Sequence, residues 1–289
     1  MTTTMQEKIC LITGGTNGIG KATALALAKM GATVVIVGRN ATKTAQVVEE
    51  IRATSGNDKV DSLLADLSSQ QEIRRLAAEF KSKYPALHVL LNNAGIMSFQ
   101  RRQSVDGIEM MFALNHLGYF LLTNLLLDTL KASAPSRIIN VASKTHASGK
   151  IDFDNLNGQG KSGMKIYGNT KLANVLFTLE LARRLAGTGV TVNALHPGDV
   201  ATGIGSSNGK VVAALYEFFG KFFLRTPEKG AETSIYLASS PEVEGITGQY
   251  YFDCKVKEPA PHAKDEAIAR KLWDVSAEMV HLDQMPAPA

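Results

Sequence analysis

Short apolar runs alternate along this chain with longer stretches whose apolar positions recur at helical spacing. ICLITGG (residues 9–15) is apolar and ends in glycines. GKATALALAKMGA (20–32) reads as a helix that closes at Gly31, a C-terminal stop signal. TVVIVGR (33–39) is β-branched and strand-like, and ATKTAQVVEEIRATSG (41–56) is an amphipathic helix. KVDSLLADL (59–67) reads as a strand leading to Ser69…Glu72, a capping box for the next helix. LHVLLNNAG (87–95) and SRIINVASK (136–144) are further strands, separated by one long, strongly apolar helix over 105–133. After a glycine-rich loop (147–163) comes a helix with an apolar stripe of Leu172, Val175, Leu176, Leu179 and Ala182, with Asn174 and Glu180 off the stripe. GVTVNALHPG (189–198) is strand, then loop. Strands without polar alternation, each separated by a helix, predict a parallel sheet covered on both faces. No linker, repeat or low-complexity segment interrupts the pattern. The expected fold class is therefore α/β: a single Rossmann-type doubly wound parallel sheet with helices on both faces, spanning 1–289.

Composition changes this picture little. The chain has 289 residues, 45% hydrophobic and 20% charged, an ordinary soluble composition. The net charge of +4 is interspersed, which argues against a nucleic-acid groove. Of the two cysteines, Cys10 lies inside an apolar strand, so a disulfide is not expected and a reducing compartment is. The opening MTTTMQEK has no apolar signal core, and no run of about 18 uncharged apolar residues is evident. The expectation is a cytoplasmic protein without a spanning segment.

The candidate chemistry sits at strand ends. TGGTNGIG (13–20) places Gly14, Gly18 and Gly20, with Thr16, Asn17 and Ile19 between them, after the first strand and at the opening of a helix. Glycines there permit positive φ and let backbone N–H groups approach a pyrophosphate at the helix N-terminus. The second strand ends in Arg39 and Asn40, where an NAD-binding sheet of this kind carries a carboxylate for the ribose. A guanidinium suits a 2′-phosphate instead, which favours NADP(H); the alternative is a solvated strand-end charge. Asp66, followed by Leu67, is a candidate acceptor for an adenine amino group or a cap for the next helix. Asn93, Ala94 and Gly95 form either a turn or a close approach to a ribose. Tyr167 and Lys171 lie about one helical turn apart on one face. They are either a surface pair or, buried beside a cationic ring, a phenol whose pKa an ammonium lowers toward neutrality. The histidines show no metal-ligand spacing, and no metal site is expected.

These residues, taken in order, resemble the short-chain dehydrogenase/reductase family. The carriers are Thr13-Gly14-x-x-x-Gly18-x-Gly20, Asn92-Asn93-Ala94-Gly95, Asn115, Ser143, Tyr167-x-x-x-Lys171 and Pro197-Gly198 with Thr202. TKLANVLFTLELARRL, TPEKGAETSIYLA and ARKLWDVSAEMV are similar to the retinol dehydrogenase-like branch, so the resemblance spans nearly the whole chain. It implies Tyr167 as general acid toward a carbonyl oxygen, Lys171 depressing its pKa and binding the nicotinamide ribose, and Ser143 donating to the developing alkoxide. It also implies Asn115 holding a water in a proton relay, with Val200 and Thr202 meeting the carboxamide. It favours a homodimer or tetramer. The sequence departs from the pattern in two respects. The Ser143–Tyr167 gap is wider than in most of the family, and the N-terminal membrane anchor common in the branch is not evident here.

VVAALYEFFGKFFL (211–224) falls where the family carries a substrate lid, within a lid region of about 200–228. Its broad apolar face is a lid, ordinary core, or a surface-lying membrane helix. An aromatic lid predicts a lipophilic aldehyde or ketone as the small-molecule partner. The expected activity is hydride transfer between NADP(H) and the carbonyl/alcohol carbon of such a substrate. The alternatives are an NADP(H)-binding sensor without turnover and a C=C reductase of the same family.

Overall fold

The computed structural model describes residues 4–200 and 224–282. Its elements are β1 (Ile9–Thr13), α1 (Gly18–Lys29), β2 (Thr33–Gly38), α2 (Ala41–Ser55), β3 (Val60–Leu64), α3 (Gln70–Lys83) and β4 (Val89–Asn92). There follow α4 (Met110–Phe112), a π-helical turn (Ala113–Leu117), α5 (Gly118–Ala132), β5 (Ser136–Val141), a 3₁₀ turn (Lys144–Ser148) and α6 (Gly163–Arg184). The chain continues through β6 (Val190–Leu195), α7 (Pro227–Ser239), β7 (Tyr250–Phe252), β8 (Lys255–Val256) and α8 (Glu266–Met279). The strands form one eight-stranded sheet in the order β3-β2-β1-β4-β5-β6-β7-β8, parallel except for the last pair.

Alternation along each strand feeds two cores. Leu11, Val35 and Val37 face a core closed by α3, α5, α6 and α8, whereas Cys10, Ile12, Val34 and Ile36 face one closed by α1, α2 and α7. Both faces of each inner strand are therefore apolar, and each fully buried large side chain contributes about 1.5–3 kcal/mol. The chain order reverses direction between β1 and β4, and the crevice beyond their C-terminal ends is where ligands bind in open α/β sheets.

Four expectations change. The long helix begins at Met110 rather than 105, because a turn at Gly107 (φ 75°) precedes it and the Glu109 carboxylate caps it by accepting from the Phe112 N–H at 2.8 Å. That helix, Met110–Ala132, is also long and apolar enough to cross a membrane by length and composition; 78% of its most apolar window is buried within the fold. The Ser69 box is half formed: Ser69 Oγ accepts from Glu72 N–H, while the Glu72 carboxylate turns away to Arg75. Lastly, Asn174 and Glu180 are buried with the stripe of α6, because α6 is packed on nearly every side. Glu180 is compensated by Arg183 and Arg184 at 2.7 and 2.6 Å. The strands β7 and β8, three and two residues long, carry too little periodicity to be read from sequence.

Candidate active site

A cleft of about 740 Å³ opens along the C-terminal ends of the central strands. One end is made of glycine and backbone. Gly14 and Gly18 adopt φ values of +65° and +51°, and a Cβ on Gly14 would fall 2.9 Å from the Ala94 Cα. A Cβ on Gly20 would lie 2.6 Å from Asn93 Nδ2 and closer still to the Gly14 carbonyl oxygen, so β1 can turn this sharply into α1 only without side chains there. The turn is pinned to β4. Thr13 Oγ1 accepts from the N–H groups of Asn93 and Ala94 at 2.8 and 3.1 Å, and Asn93 Nδ2 donates to the Thr13 carbonyl at 2.8 Å. Side chains cap α2 (Asn40), α3 (Ser69), α6 (Ser162), α7 (Thr226) and α8 (Asp265), but none caps α1. The first-turn N–H groups of α1 thus face the cleft without a side-chain cap among the described residues, as a phosphate requires.

Thr16, Asn17, Ile19, Arg39, Asn40, Asp66 and Leu67 line this end with Gly14 and Gly18. Arg39 is exposed and makes no ion pair among the described residues. Lys43, in the first turn of α2, lines the same end; the sequence reading passed over it, although its place just after Arg39 and Asn40 is a visible signal. Asn40 spends its side chain as the α2 cap, accepting from Lys43 N–H at 2.9 Å. Asp66 does not cap α3, which Ser69 does; its Oδ1 accepts from the Ser68 N–H and hydroxyl at 2.9 and 2.7 Å, and the residue borders the cleft.

The other end is made of polar side chains. Ser143, Tyr167 and Lys171 line it together with Asn93, Ala94, Gly95, Pro197, Gly198 and Val200. Ser143 Oγ accepts from the Thr145 N–H at 3.2 Å, which leaves its hydroxyl hydrogen to point elsewhere. Lys171 is 2% exposed; Nζ donates to the Val141 carbonyl at 2.9 Å and lies 5.6 Å from the Tyr167 ring and 5.8 Å from the Tyr119 ring. Burial pulls its pKa down to about 7. Burial likewise holds the Tyr119 phenol well above its ordinary range, so Tyr119 stays neutral beside the amine.

Asn115 and Gly20 stand behind the cleft wall rather than on it. Asn115 lies in the π turn and is fully buried. Its Oδ1 accepts from Ile96 N–H at 2.9 Å, and Nδ2 donates to the Ile96 carbonyl at 2.9 Å and to Thr170 Oγ1 at 3.2 Å. One amide thus fastens the loop following β4 to α6, and it is carried by a π turn, a helix widening that recurs at functional sites. Thr202 and most of the 211–224 segment lie outside the described residues. The flanks of that segment meet: Val200 and Arg225 form a parallel bridge, and Arg225 N–H donates to the Asp199 carbonyl at 2.7 Å. Met97, Leu114, Met164 and Leu224 line the cleft and were not singled out from sequence, since lone apolar residues in loops and helix ends carry no pattern.

A doubly wound sheet, a glycine turn at its crevice and a buried lysine one helical turn from a tyrosine define a nucleotide-dependent oxidoreductase. The short chain dehydrogenase family model matches residues 8–211, and the chain belongs to that family, in its retinol dehydrogenase-like branch. It is 46% identical to retinol dehydrogenase 14 of Homo sapiens, over 96% of this chain and 88% of the relative. It is 44% identical to retinol dehydrogenase 13 of Homo sapiens, over 97% and 86%. Among solved structures it resembles an uncharacterized protein from Mycobacterium Paratuberculosis, with TM-score 0.78 at 30% identity, covering 96% of this chain and 95% of the other. It also resembles a Pseudomonas aeruginosa RhlG/NADP active-site complex, with TM-score 0.68 at 28% identity, covering 86% and 94%.

Proposed function

We propose that the protein is an NADP(H)-dependent oxidoreductase that passes a hydride between the nicotinamide and the carbonyl/alcohol carbon of a lipophilic aldehyde or ketone. The observation that carries this reading is the buried Lys171 beside Tyr167 and Ser143 in a cleft whose far end is a glycine turn. The glycine turn and the uncapped start of α1 fit a dinucleotide pyrophosphate; Arg39 and Lys43 fit a 2′-phosphate; Lys171 fits the nicotinamide ribose. The bound nicotinamide supplies the hydride. Tyr167 gives its proton to the carbonyl oxygen, and the Ser143 hydroxyl donates to the same oxygen as charge develops. In its protonated form Lys171, 5.6 Å from the Tyr167 ring, favours the phenolate and so makes Tyr167 a stronger acid. Fixed donors in a dry cleft provide most of the rate. Asn115 anchors α6 and holds the water of a proton relay. Met97, Met164 and Leu224 favour an apolar substrate, and the region of about 200–228 is the family's place for its lid. The working direction is carbonyl reduction in the cytoplasm, where the NADP pool is mostly reduced.

The test is NADPH consumption by the purified protein across aldehydes and ketones of increasing apolar length, with Tyr167→Phe in parallel. Turnover should rise with apolar length and fall about 10²–10⁴-fold in Tyr167→Phe, the usual worth of a positioned acid. Equal turnover in both proteins would sink the assignment of Tyr167, and tight NADPH binding with no turnover on any substrate would favour a sensor.

A further inference from the structure

Behind the serine turn lies a histidine that the chemistry above does not use. His146 is 4% exposed, three residues after Ser143 in the 3₁₀ turn Lys144–Ser148. Its Nδ1 is 2.7 Å from the Ser143 carbonyl oxygen, and its Nε2 is 3.0 Å from the Ala260 backbone nitrogen. A carbonyl can only accept and an amide N–H can only donate. The two contacts together therefore fix the neutral ring as the Nδ1–H tautomer, donating to Ser143 and accepting from Ala260. The surroundings hold the ring in that plane. Tyr250 lies edge-on with ring centroids 4.8 Å apart, its hydroxyl 3.3 Å from Nδ1, and His262 Nε2 stands 3.4 Å from the His146 carbonyl oxygen. Neither His146 nor Ala260 lines the cleft.

We propose that His146 is a positioning residue for Ser143, tying the serine turn to the segment around Ala260, so that this segment, remote from the chemistry, sets where the Ser143 hydroxyl points. The inference rests on the reading of Ser143 given above. The Ser143 side chain is already committed on one side to the Thr145 N–H at 3.2 Å, so its remaining freedom is the placement of the turn itself. That turn is closed by two bonds to one carbonyl, from the His146 backbone N–H at 3.1 Å and from its ring. Of these two bonds, the ring bond is the one that continues, through Nε2, to the segment around Ala260. A displacement of a fraction of an ångström at Ser143 would leave cofactor binding intact while weakening a contact made in the transition state.

Ala260 offers a clean test. Its φ of −57° suits proline, so Ala260→Pro deletes the N–H that reaches His146 without changing φ at that position. We expect kcat to fall about 3- to 10-fold, the worth of one hydrogen bond, with the NADPH dissociation constant unchanged. His146→Ala should cost about 10- to 100-fold in kcat, and His146→Asn, which keeps a donor near the Nδ1 position, should recover part of that. In a Ser143→Ala background, both the His146→Ala and Ala260→Pro effects should shrink to within about 2-fold, because residues acting as one unit are not additive. Nitrogen-15 NMR should show the His146 ring protonated at Nδ1 in the wild type. Full additivity with Ser143→Ala, or an Nε2–H ring, overturns the role of His146 and leaves the assignment of the activity intact. Wild-type turnover in Ser143→Ala overturns the reading of Ser143 and this proposal with it.

Discussion

The two ends of the cleft are built by opposite means. The β1–α1–β2 end is a site of omissions: glycines where a Cβ would collide, a helix without a side-chain cap, and one exposed arginine. The β4–β5–α6 end is a site of buried polar groups that hold one another. Asn92 Nδ2 donates to Thr123 Oγ1 and to Asn140 Oδ1, both at 2.9 Å, and Asn140 Nδ2 donates to Thr178 Oγ1 at 2.9 Å. Asn174 and Lys171 share the Val141 carbonyl. An end that leaves backbone groups open can take a ligand with little rearrangement. An end that buries a cation holds a side chain at an unusual pKa, and the network around it bears the desolvation cost.

Lys171 is where the contrast can be broken most sharply. Its folded pKa of about 7 lies below the ordinary lysine value of 10.5, so the unfolded chain binds a proton that the folded chain does not. Between about pH 7 and 10.5 the stability of the cofactor-free protein therefore rises with pH; below pH 7 the penalty is fully present. Lys171→Met should remove that slope and stabilise the cofactor-free protein at pH 7 by about 2–4 kcal/mol, while turnover drops about 10³-fold. Urea titrations at pH 7 and pH 10 check the first part and NADPH consumption the second. A variant less stable than the wild type at pH 7 would mean that the lysine is a structural tie, not a strained group.

The same contrast explains what could be read from sequence. The fold was legible because each inner strand is apolar on both faces and some helices open or close on a recognisable signal, as at Ser69 and Gly31. Gly14, Gly18, Arg39, Ser143, Tyr167 and Lys171 were legible as types and spacings, and the topology gathers them on one cleft. What stayed hidden depends on packing between distant segments. Nothing in the order of residues says that Asn115 clasps Ile96 and Thr170, or that His146 meets Ala260. The burial of Asn174 and Glu180 was misread because helical periodicity identifies one buried face, whereas α6 is enclosed on almost all of its faces.

Arg39 sharpens the comparison from the other side. It is exposed and makes no ion pair among the described residues, so its loss should not touch the fold. A guanidinium on a phosphate contributes about 1.5–3 kcal/mol, so Arg39→Asp should weaken NADPH binding about 10- to 100-fold and improve NADH binding, with the melting temperature unchanged. Fluorescence titrations with both cofactors decide it. Equal wild-type affinity for NADPH and NADH would remove the basis for NADP preference, and Lys43 would then be the cation to examine at that end of the cleft.

Gly20→Ala has the smallest expected net effect, because two terms oppose. Gly20 is helical, and its φ is not in the left-handed region, so alanine gains about 1 kcal/mol of helix propensity there. Against this, the new Cβ would sit 2.6 Å from Asn93 Nδ2 and press on the Gly14 carbonyl oxygen. Asn93 is no loose end that can swing aside, since the same nitrogen bonds the Thr13 carbonyl at 2.8 Å. Overpacking against fixed atoms costs about 1–3 kcal/mol, so the clash wins by about 1 kcal/mol and the glycine turn moves. We expect a melting temperature lower by a few degrees and NADPH binding weaker by about 3- to 10-fold, with kcat at saturating NADPH nearly unchanged, because Lys171 and Tyr167 are held by the other end of the cleft. If kcat fell as far as the affinity, the two ends would be mechanically coupled through Asn93, and the division between an end made by omission and an end made by buried polar groups would fail at that residue.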